Sequence, residues 1–171
     1  MGCTKSVKNS IYITVGTGVG VGVIIGGKPY HGMIHPEGGH IFVHRRPDDP
    51  MAKGICPYHG NCLEGLASGP AIERRWGRKG AELSDCLAVW ELEAFYIGQA
   101  ICTYICTLSP ERIVVGGGVM HQEQMLPMIR QEVRRQMHGY IQGKGKDKLE
   151  EYIVPVSLGD NQGVMGGVKL A

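Results

Sequence analysis

The clustering of glycine constrains the fold of this chain more than any other feature of its sequence. Glycine occupies 27 of the 171 positions, roughly twice the usual share of about 7%. Many of these residues fall into short clusters beside apolar segments, at 16–27, 38–39, 116–118 and 163–167. Glycine in such places lets the backbone turn tightly or approach another group closely. The pattern predicts strands whose ends are approached by other backbone or by a ligand.

Apolar segments and helical patterns follow one another along the chain and predict an α/β fold. Strands are predicted at 11–15, 20–25, 40–44, 112–119 and 152–160, and helices from residue 63 onward, at 84–110, at 121–140 and at 161–171. The alternation of strand and helix in the second half of the chain indicates mostly parallel pairing. Pro70 is expected to open a second helical segment after residue 63, and Ser84 or Asp85 is expected to cap the long helix.

Composition and charge indicate a globular domain without a nucleic-acid or membrane partner. Hydrophobic residues make up 43% of the chain and charged residues 20%, and the formal net charge is only +2. No apolar run approaches the roughly 18 residues of a membrane span, and the N-terminus has no hydrophobic signal core. Six cysteines without a secretion signal argue against a disulfide framework. Cys102 and Cys106 are interpreted as small core residues, and Arg74 and Arg75 as a solvated helix face.

Three residues with metal-binding side chains stand at even spacing in the segment ICPYHGNCLEG. Cys56, His59 and Cys62 follow one another at three-residue steps, and His40 and His44 are the nearest upstream candidates for a fourth ligand. His40, which closes the segment PEGGH, is the preferred one. Thiolate and imidazole ligands favour zinc over oxygen-seeking cations, and four protein ligands predict a structural site with no open position for water. A turn with incidental cysteines is the alternative.

Two glycine turns are candidates for contact with a nucleotide. In VGTGVGVG, at 15–22, Thr17 and its neighbouring backbone N–H groups can face a phosphate, although a tight β-turn explains this segment better when it is taken alone. The glycines at 116–118 follow a strand, where nucleotides bind in α/β sheets, and a plain strand–helix turn is the alternative. Together with LGDNQGVMGG near the end of the chain, the two turns favour a nucleotide cleft.

Two glutamates adjoin the candidate metal ligands. Glu37 precedes His40 by three residues, and Glu64 follows Cys62 by two. A metal that ties His40 to Cys62 would draw both carboxylates toward one place, where they can accept hydrogen bonds from vicinal sugar hydroxyls. A glutamate taken alone is usually a solvated surface residue, which is the alternative here.

Several separate motifs, in order along nearly the whole chain, resemble the ROK family of sugar kinases and repressors. They are ITVGTGVGVGVIIGGKPYHGMIHPEGGHIFV, GICPYHGNCLEGLASGPAI and LSPERIVVGGGVM, and the metal segment is most similar to that of the bacterial zinc-containing fructokinase branch. The resemblance implies the C-terminal lobe of an actin-like ATPase (ribonuclease H-like) fold with an inserted zinc-binding loop. It also implies ATP-dependent phosphorylation of a hexose, with fructose converted to fructose 6-phosphate by a cytoplasmic homodimer.

The resemblance assigns roles to individual residues. It gives the structural zinc ion to His40, Cys56, His59 and Cys62, and sugar binding to Glu37, His40 and Glu64. Thr17 and Gly18 match the turn that faces the phosphates of ATP, which is used with Mg²⁺. Gly117 and Gly118 match the turn on the adenosine side.

The first residues of the chain depart from the family pattern. ROK kinases carry an Asp-x-Gly-Gly-Thr phosphate loop and a catalytic aspartate ahead of the strand that matches IYITVGTG. Only MGCTKSVKNS precedes that strand here, without an Asp or Glu. The expectation is one C-terminal-type lobe over 1–171, with a zinc and sugar part at about 36–69, a nucleotide part at about 111–171, and neither an N-terminal lobe nor a catalytic base. The alternative function is a non-catalytic sugar-binding, nucleotide-binding or dimerisation module.

Overall fold

The computed structural model describes residues 4, 6–140 and 148–157, and a five-stranded mixed sheet forms its centre. The strands are β1 (Ser10–Val15), β2 (Val19–Ile25), β3 (Lys28–Pro29), β4 (Arg112–Gly116) and β5 (Ile153–Pro155). They lie in the order β3-β2-β1-β4-β5. β1, β4 and β5 run parallel, whereas β1 with β2 and β2 with β3 pair antiparallel. This arrangement confirms the predicted α/β class and the parallel pairing in the second half of the chain.

The burial of the strands follows from their sequences. In β1 the alternate residues Ile11, Ile13 and Val15 are buried, as the strand pattern predicts. β4 is buried continuously from residue 113 to 116, which is typical of a parallel strand with neighbours on both sides. Gly26 and Gly27, with φ angles of 61° and 81°, turn β2 into β3, and glycine is favoured there because both φ angles are positive.

Among the described residues, five helices accompany the sheet: α1 (Leu63–Ala67), α2 (Gly69–Trp76), α3 (Leu87–Leu108), α4 (Met125–Met137) and α5 (Leu149–Tyr152). Pro70 lies in the first turn of α2, as predicted. α3 contributes the large buried side chains Trp90 and Tyr96 to one core that also includes residues of β1, β4, α1 and α4. No helix within the described ranges combines the length and the apolar character that crossing a bilayer requires.

Residues 40–44, predicted as a strand, form instead the end of a 3-10 turn and an irregular segment. The turn covers Gly38–His40, and beyond it Phe42 forms a single bridge with Cys62. The side chain of Gln99 donates to the carbonyl of His44 at 2.9 Å and accepts from its N–H at 3.0 Å. These two hydrogen bonds from the long helix that contains Gln99 satisfy the N–H and carbonyl of His44. In a sheet a neighbouring strand would satisfy them, so His44 needs no strand partner.

Some boundaries and one burial prediction are also wrong. α3 begins after Cys86, so neither Ser84 nor Asp85 caps it. α4 begins at residue 125 rather than 121, because residues 118–121 form a 3-10 turn. Cys106 is exposed, so its assignment to the core is wrong, whereas Cys102 is partly buried and packs against the core, as predicted. The predicted closing helix at 161–171 lies outside the described residues.

A buried ion cluster joins the loop after residue 44 to α2 and α3. Arg75, interpreted from the sequence as solvated, has a buried guanidinium that contacts Asp49 Oδ1 at 2.9 Å and Glu93 Oε1 at 3.1 Å. The hydroxyl of Tyr96 donates to the other carboxylate oxygen of Asp49 at 2.6 Å. Burial, opposed in part by Arg75, raises the pKa of Glu93 to about 8. The cluster anchors the loop that leads to the cysteine and histidine segment.

Candidate functional site

The cysteine and histidine segment folds into a compact loop over residues 54–62, immediately ahead of α1. Asn61 Oδ1 accepts a hydrogen bond from the N–H of Gly54 at 2.7 Å. The loop packs so closely on α1 that a Cβ on Gly65 would lie 2.0 Å from the carbonyl oxygen of Gly60. Glycine at these positions therefore lets the loop fold back on the helix and hold its side chains in place.

Four side chains, those of His40, Cys56, His59 and Cys62, converge on one point, with their ligand atoms all within 4.8 Å of one another. His40 Nδ1 lies 3.5 Å from Cys62 Sγ and 3.8 Å from Cys56 Sγ. His59 Nδ1 lies 3.7 Å from Cys56 Sγ. Zinc bonds of about 2.0–2.3 Å place the ligand atoms of a tetrahedron roughly 3.3–3.8 Å apart, so donor set and spacing fit a closed zinc site. Among the described residues, His44, the other upstream candidate, is not part of this group of ligands.

The surroundings of the two thiols differ. Burial works against ionisation of Cys56, yet hydrogen bonds from the backbone N–H groups of His59 and Tyr58 lower the pKa of its thiol to about 6. Burial raises the pKa of the Cys62 thiol to about 11, and the nearby charge on Cys56 acts in the same direction. Since metal ligands must be deprotonated, a cation entering the site would meet one ready thiolate and displace the proton of the second.

The segment PEGGH reaches the other ligands by packing directly on β2. A Cβ on Gly39 would lie 1.8 Å from the carbonyl oxygen of Val19, and one on Gly38 would lie 2.8 Å from the Cβ of Val21. Only glycine lets the 3-10 turn lie against the strand at this distance. The close packing brings His40 to the side of the metal-ligand cluster.

Glu64 lies between His40 and the turn that joins β1 to β2. Its Oε1 is 3.8 Å from His40 Nε2, and its Oε2 accepts a hydrogen bond from the N–H of Val19 at 3.0 Å. Glu37 is exposed and caps no backbone group of the 3-10 turn with its side chain. The structure therefore places Glu64 beside His40, while the approach of Glu37 to Glu64 stays a prediction.

Residues of the two predicted nucleotide turns line one cavity of about 370 Å³. Gly16 and Thr17 line it from the turn after β1, and Gly118 lines it from the turn after β4. Ile72 and Trp90 supply an apolar part of the lining. A neighbouring cavity of about 510 Å³ adjoins the turn after β4 and the end of β5. Such mixed lining suits a small ligand with one apolar and one polar part.

Sequence reasoning missed residues that reach this cavity from elsewhere in the chain. Gly80 and Ala81, in the 3-10 turn between α2 and α3, belong to its lining. The N–H of Gly69 donates to the carbonyl of Gly16 at 2.7 Å and anchors the turn after β1. Gly69, the first residue of α2, itself offers a signal, because glycine can mark a close approach of another part of the backbone. No local pattern identifies its partner, which is distant in sequence.

Gly117→Ala is expected to lower the free energy of unfolding by at least about 2 kcal/mol. Gly117 has a φ of 95°, and a Cβ there would lie 2.4 Å from the carbonyl oxygen of Val15. Gly118→Ala is the matched control, because nothing lies within 4 Å of a Cβ at that position. Urea denaturation of both variants measures the difference, and equal stabilities would contradict the close packing of this turn on β1.

Comparison with known proteins places these features in a family. The sequence profile of the ROK family matches residues 1–171. A Bacillus subtilis protein provisionally named a fructokinase is 50% identical over 171 residues, which are 99% of this chain and 57% of that protein. The fructokinase of Zymomonas mobilis is 46% identical over 172 residues, with 99% of this chain and 56% of that enzyme covered. The chain thus spans little more than half the length of these relatives.

The fold has a counterpart among solved structures. A ROK family glucokinase from Streptomyces griseus, determined in complex with glucose and AMPPNP, matches with a TM-score of 0.75 and 27% sequence identity. The match covers 98% of this chain and 61% of the glucokinase, so the overall fold is shared over nearly the whole chain. From the profile that spans the whole sequence, the identity to fructokinases and the shared fold, it follows that the chain belongs to the ROK family.

Proposed function

We propose that the chain forms the sugar- and nucleotide-contacting lobe of an ATP-dependent hexose kinase that converts fructose to fructose 6-phosphate. The position of Glu64 between His40 and the turn after β1 carries this proposal. A sugar bound at Glu64 would lie next to the turn that faces the phosphates, and phosphoryl transfer depends on such positioning. The relatives named as fructokinases support the choice of hexose.

In this proposal, His40, Cys56, His59 and Cys62 hold a structural zinc ion. Four protein ligands complete its tetrahedral shell and leave no position for water. The ion supplies no step of the reaction, and its contribution is to hold the loop and the 3-10 turn in place. The observed separations of 3.5–3.8 Å between sulfur and nitrogen atoms support this ion.

The substrates are assigned to two sides of the turn after β1. The carboxylates of Glu37 and Glu64 would accept hydrogen bonds from sugar hydroxyls, with His40 beside them. Thr17 and Gly18 would face the phosphates of ATP and its Mg²⁺, and Gly117 and Gly118 would adjoin the adenosine. The cavity shared by Thr17 and Gly118 supports this arrangement, as does the S. griseus glucokinase, which holds glucose and AMPPNP.

The general base is assigned to a part of a ROK kinase that this chain does not match. An aspartate from an N-terminal lobe would take the proton of the sugar hydroxyl, and a cytoplasmic homodimer would be the complete enzyme. A second candidate is a non-catalytic sugar-binding, nucleotide-binding or dimerisation module.

A complementation assay separates the two candidates. The chain would be measured for fructose-dependent release of ADP from ATP, alone and fused behind the N-terminal part of the Z. mobilis fructokinase. The fusion is expected to be active, and Glu64→Ala is expected to lower its kcat/KM by about 10- to 100-fold, because the variant loses charge-assisted hydrogen bonds to the sugar. Glu73→Ala is the control, since Glu73 is exposed on α2.

The other outcomes decide between the alternatives. A fusion that binds fructose in calorimetry but releases no ADP would overturn the kinase assignment in favour of the non-catalytic module. Glucose and mannose in place of fructose test the hexose, and a kcat/KM higher for either sugar would overturn the assignment of fructose alone.

A further inference from the structure

Glu64 contacts two parts of the site at once, which goes beyond a role in holding a sugar. We propose that Glu64 is a positioning residue that couples occupancy of the metal centre to the turn at residues 16–19. The inference rests on the zinc ion assigned above, but it requires neither fructose nor catalysis. It predicts that binding or loss of the metal changes the stability of this turn, although the turn contains no metal ligand.

On the metal side, Glu64 is joined to two of the ligands. His40 directs Nδ1 toward the two sulfurs and Nε2 toward Glu64 Oε1, at 3.8 Å. A metal-bound histidine commonly donates its second N–H to a carboxylate, which orients the ring. The other connection runs through the backbone, because Cys62 is the N-cap of α1 and its Sγ accepts the N–H of Gly65 at 3.4 Å. Both routes make the position of Glu64 depend on the ligands.

On the other side, the same carboxylate helps to define the turn after β1. Its Oε2 accepts the N–H of Val19 at 3.0 Å. A Cβ on Gly18 would lie 2.7 Å from that oxygen, so glycine at this position leaves room for the carboxylate. The turn is closed by a hydrogen bond from the N–H of Gly16 to the carbonyl of Gly18 at 2.9 Å. Glu64 therefore holds the turn at the residue where β2 begins.

The two sets of contacts give a defined sequence of effects. Without the metal, no ion holds His40 to the loop at 54–62. The ring of His40 can then move, and the carboxylate of Glu64 no longer has Nε2 of that ring as a fixed partner. The hydrogen bond to Val19 weakens as a result. Coupling between two sites is reciprocal in free energy, so a change at the turn that displaces the carboxylate must also weaken binding of the metal.

The zinc affinity of Gly18→Ala tests this reciprocity. Gly18 is not a metal ligand and does not have a positive φ, so alanine fits the backbone while its methyl group displaces the movable end of Glu64. The Zn²⁺ affinity, measured by competition with a chromophoric chelator, is expected to fall about tenfold. Gly22→Ala is the matched control in β2, where nothing lies within 4 Å of an added Cβ, and its affinity is expected to equal that of the unchanged chain.

Amide hydrogen exchange gives a second readout that does not depend on a variant. Zinc is expected to slow exchange at the Val19 N–H in the unchanged chain and to have no such effect in Glu64→Ala. Equal zinc affinity of Gly18→Ala and Gly22→Ala, with zinc-independent exchange at Val19, would overturn the coupling and leave the zinc assignment intact. A chain that binds no Zn²⁺ at all would overturn both. Neither result depends on whether the chain phosphorylates fructose.

Discussion

Replacement of the buried Arg75 by methionine is expected to lower the free energy of unfolding by about 3–5 kcal/mol. Its single positive charge lies between the buried carboxylates of Asp49 and Glu93, and its guanidinium also donates to the carbonyl of Leu66 at 2.7 Å. Methionine fills a similar volume but leaves Asp49 without a cation and Glu93 without the guanidinium that donates to its Oε1. The cost arises because an unpaired charge in the interior loses its hydration without compensation.

Arg74→Met is the matched control for this experiment. It removes the same charge from the neighbouring position of α2, where the side chain is exposed, and a change within about 0.5 kcal/mol is expected. Urea denaturation of both variants at neutral pH measures the difference. A loss of less than about 1 kcal/mol in Arg75→Met would contradict the expectation. Because burial already raises the pKa of Glu93 to about 8, such a result would mean that the carboxyl groups of the cluster are neutral without the arginine.

The ion cluster also bears on the site, because Asp49 orders the loop that leads to the metal ligands. Asp49 Oδ1 accepts the N–H of Met51 at 2.7 Å, and Arg45 donates from Nε to the carbonyl of Met51 at 2.8 Å. Three residues after Met51, the compact loop at 54–62 begins. The same salt bridges that stabilise the core thus fix the entrance to that loop.

The fold could be predicted where the pattern is local. Ile11, Ile13 and Val15 alternate with less buried residues in β1, and the side-chain period of a strand is visible in the sequence. Residues 40–44 carry the same apolar character but become irregular, since Gln99 of a distant helix satisfies the backbone of His44. Arg75 is indistinguishable from Arg74 in sequence, and only the placement of Asp49 and Glu93 decides which one is buried.

The candidate site, too, could be predicted from the sequence only where its pattern is local. Cys56, His59 and Cys62 are close together in sequence, so the loop that contains them could be predicted from the types and spacing of these residues. The hydrogen bond from Val19 to Glu64 could not, because it joins residues 45 positions apart and depends on how α1 packs beside β2. Close approach is visible in the sequence only as glycine at positions 18 and 39, without an indication of the partner.

Cys56→Ser is expected to abolish stoichiometric binding of zinc and to lower the Tm by about 10 °C. A structural zinc ion contributes to folding free energy directly, and a loss of roughly 3–4 kcal/mol corresponds to a shift of this size in a chain of this length. Cys56 is the best position for the test because its Sγ lies near Nδ1 of both His40 and His59. Cys62 also caps α1, so its replacement would combine the loss of a ligand with the loss of a cap.

Cys106→Ser supplies the control, because it makes the same change at an exposed cysteine of α3 that is outside the metal-ligand group. It is expected to retain one zinc ion per chain and the Tm of the unchanged chain. A chelator should then lower the Tm of the unchanged chain and of Cys106→Ser by the same amount, and should leave Cys56→Ser unaffected, since that variant has no ion to lose. A chain purified without zinc whose melting is insensitive to both the chelator and Cys56→Ser would show that the packing of Gly54, Gly60 and Gly65 holds the loop without a metal.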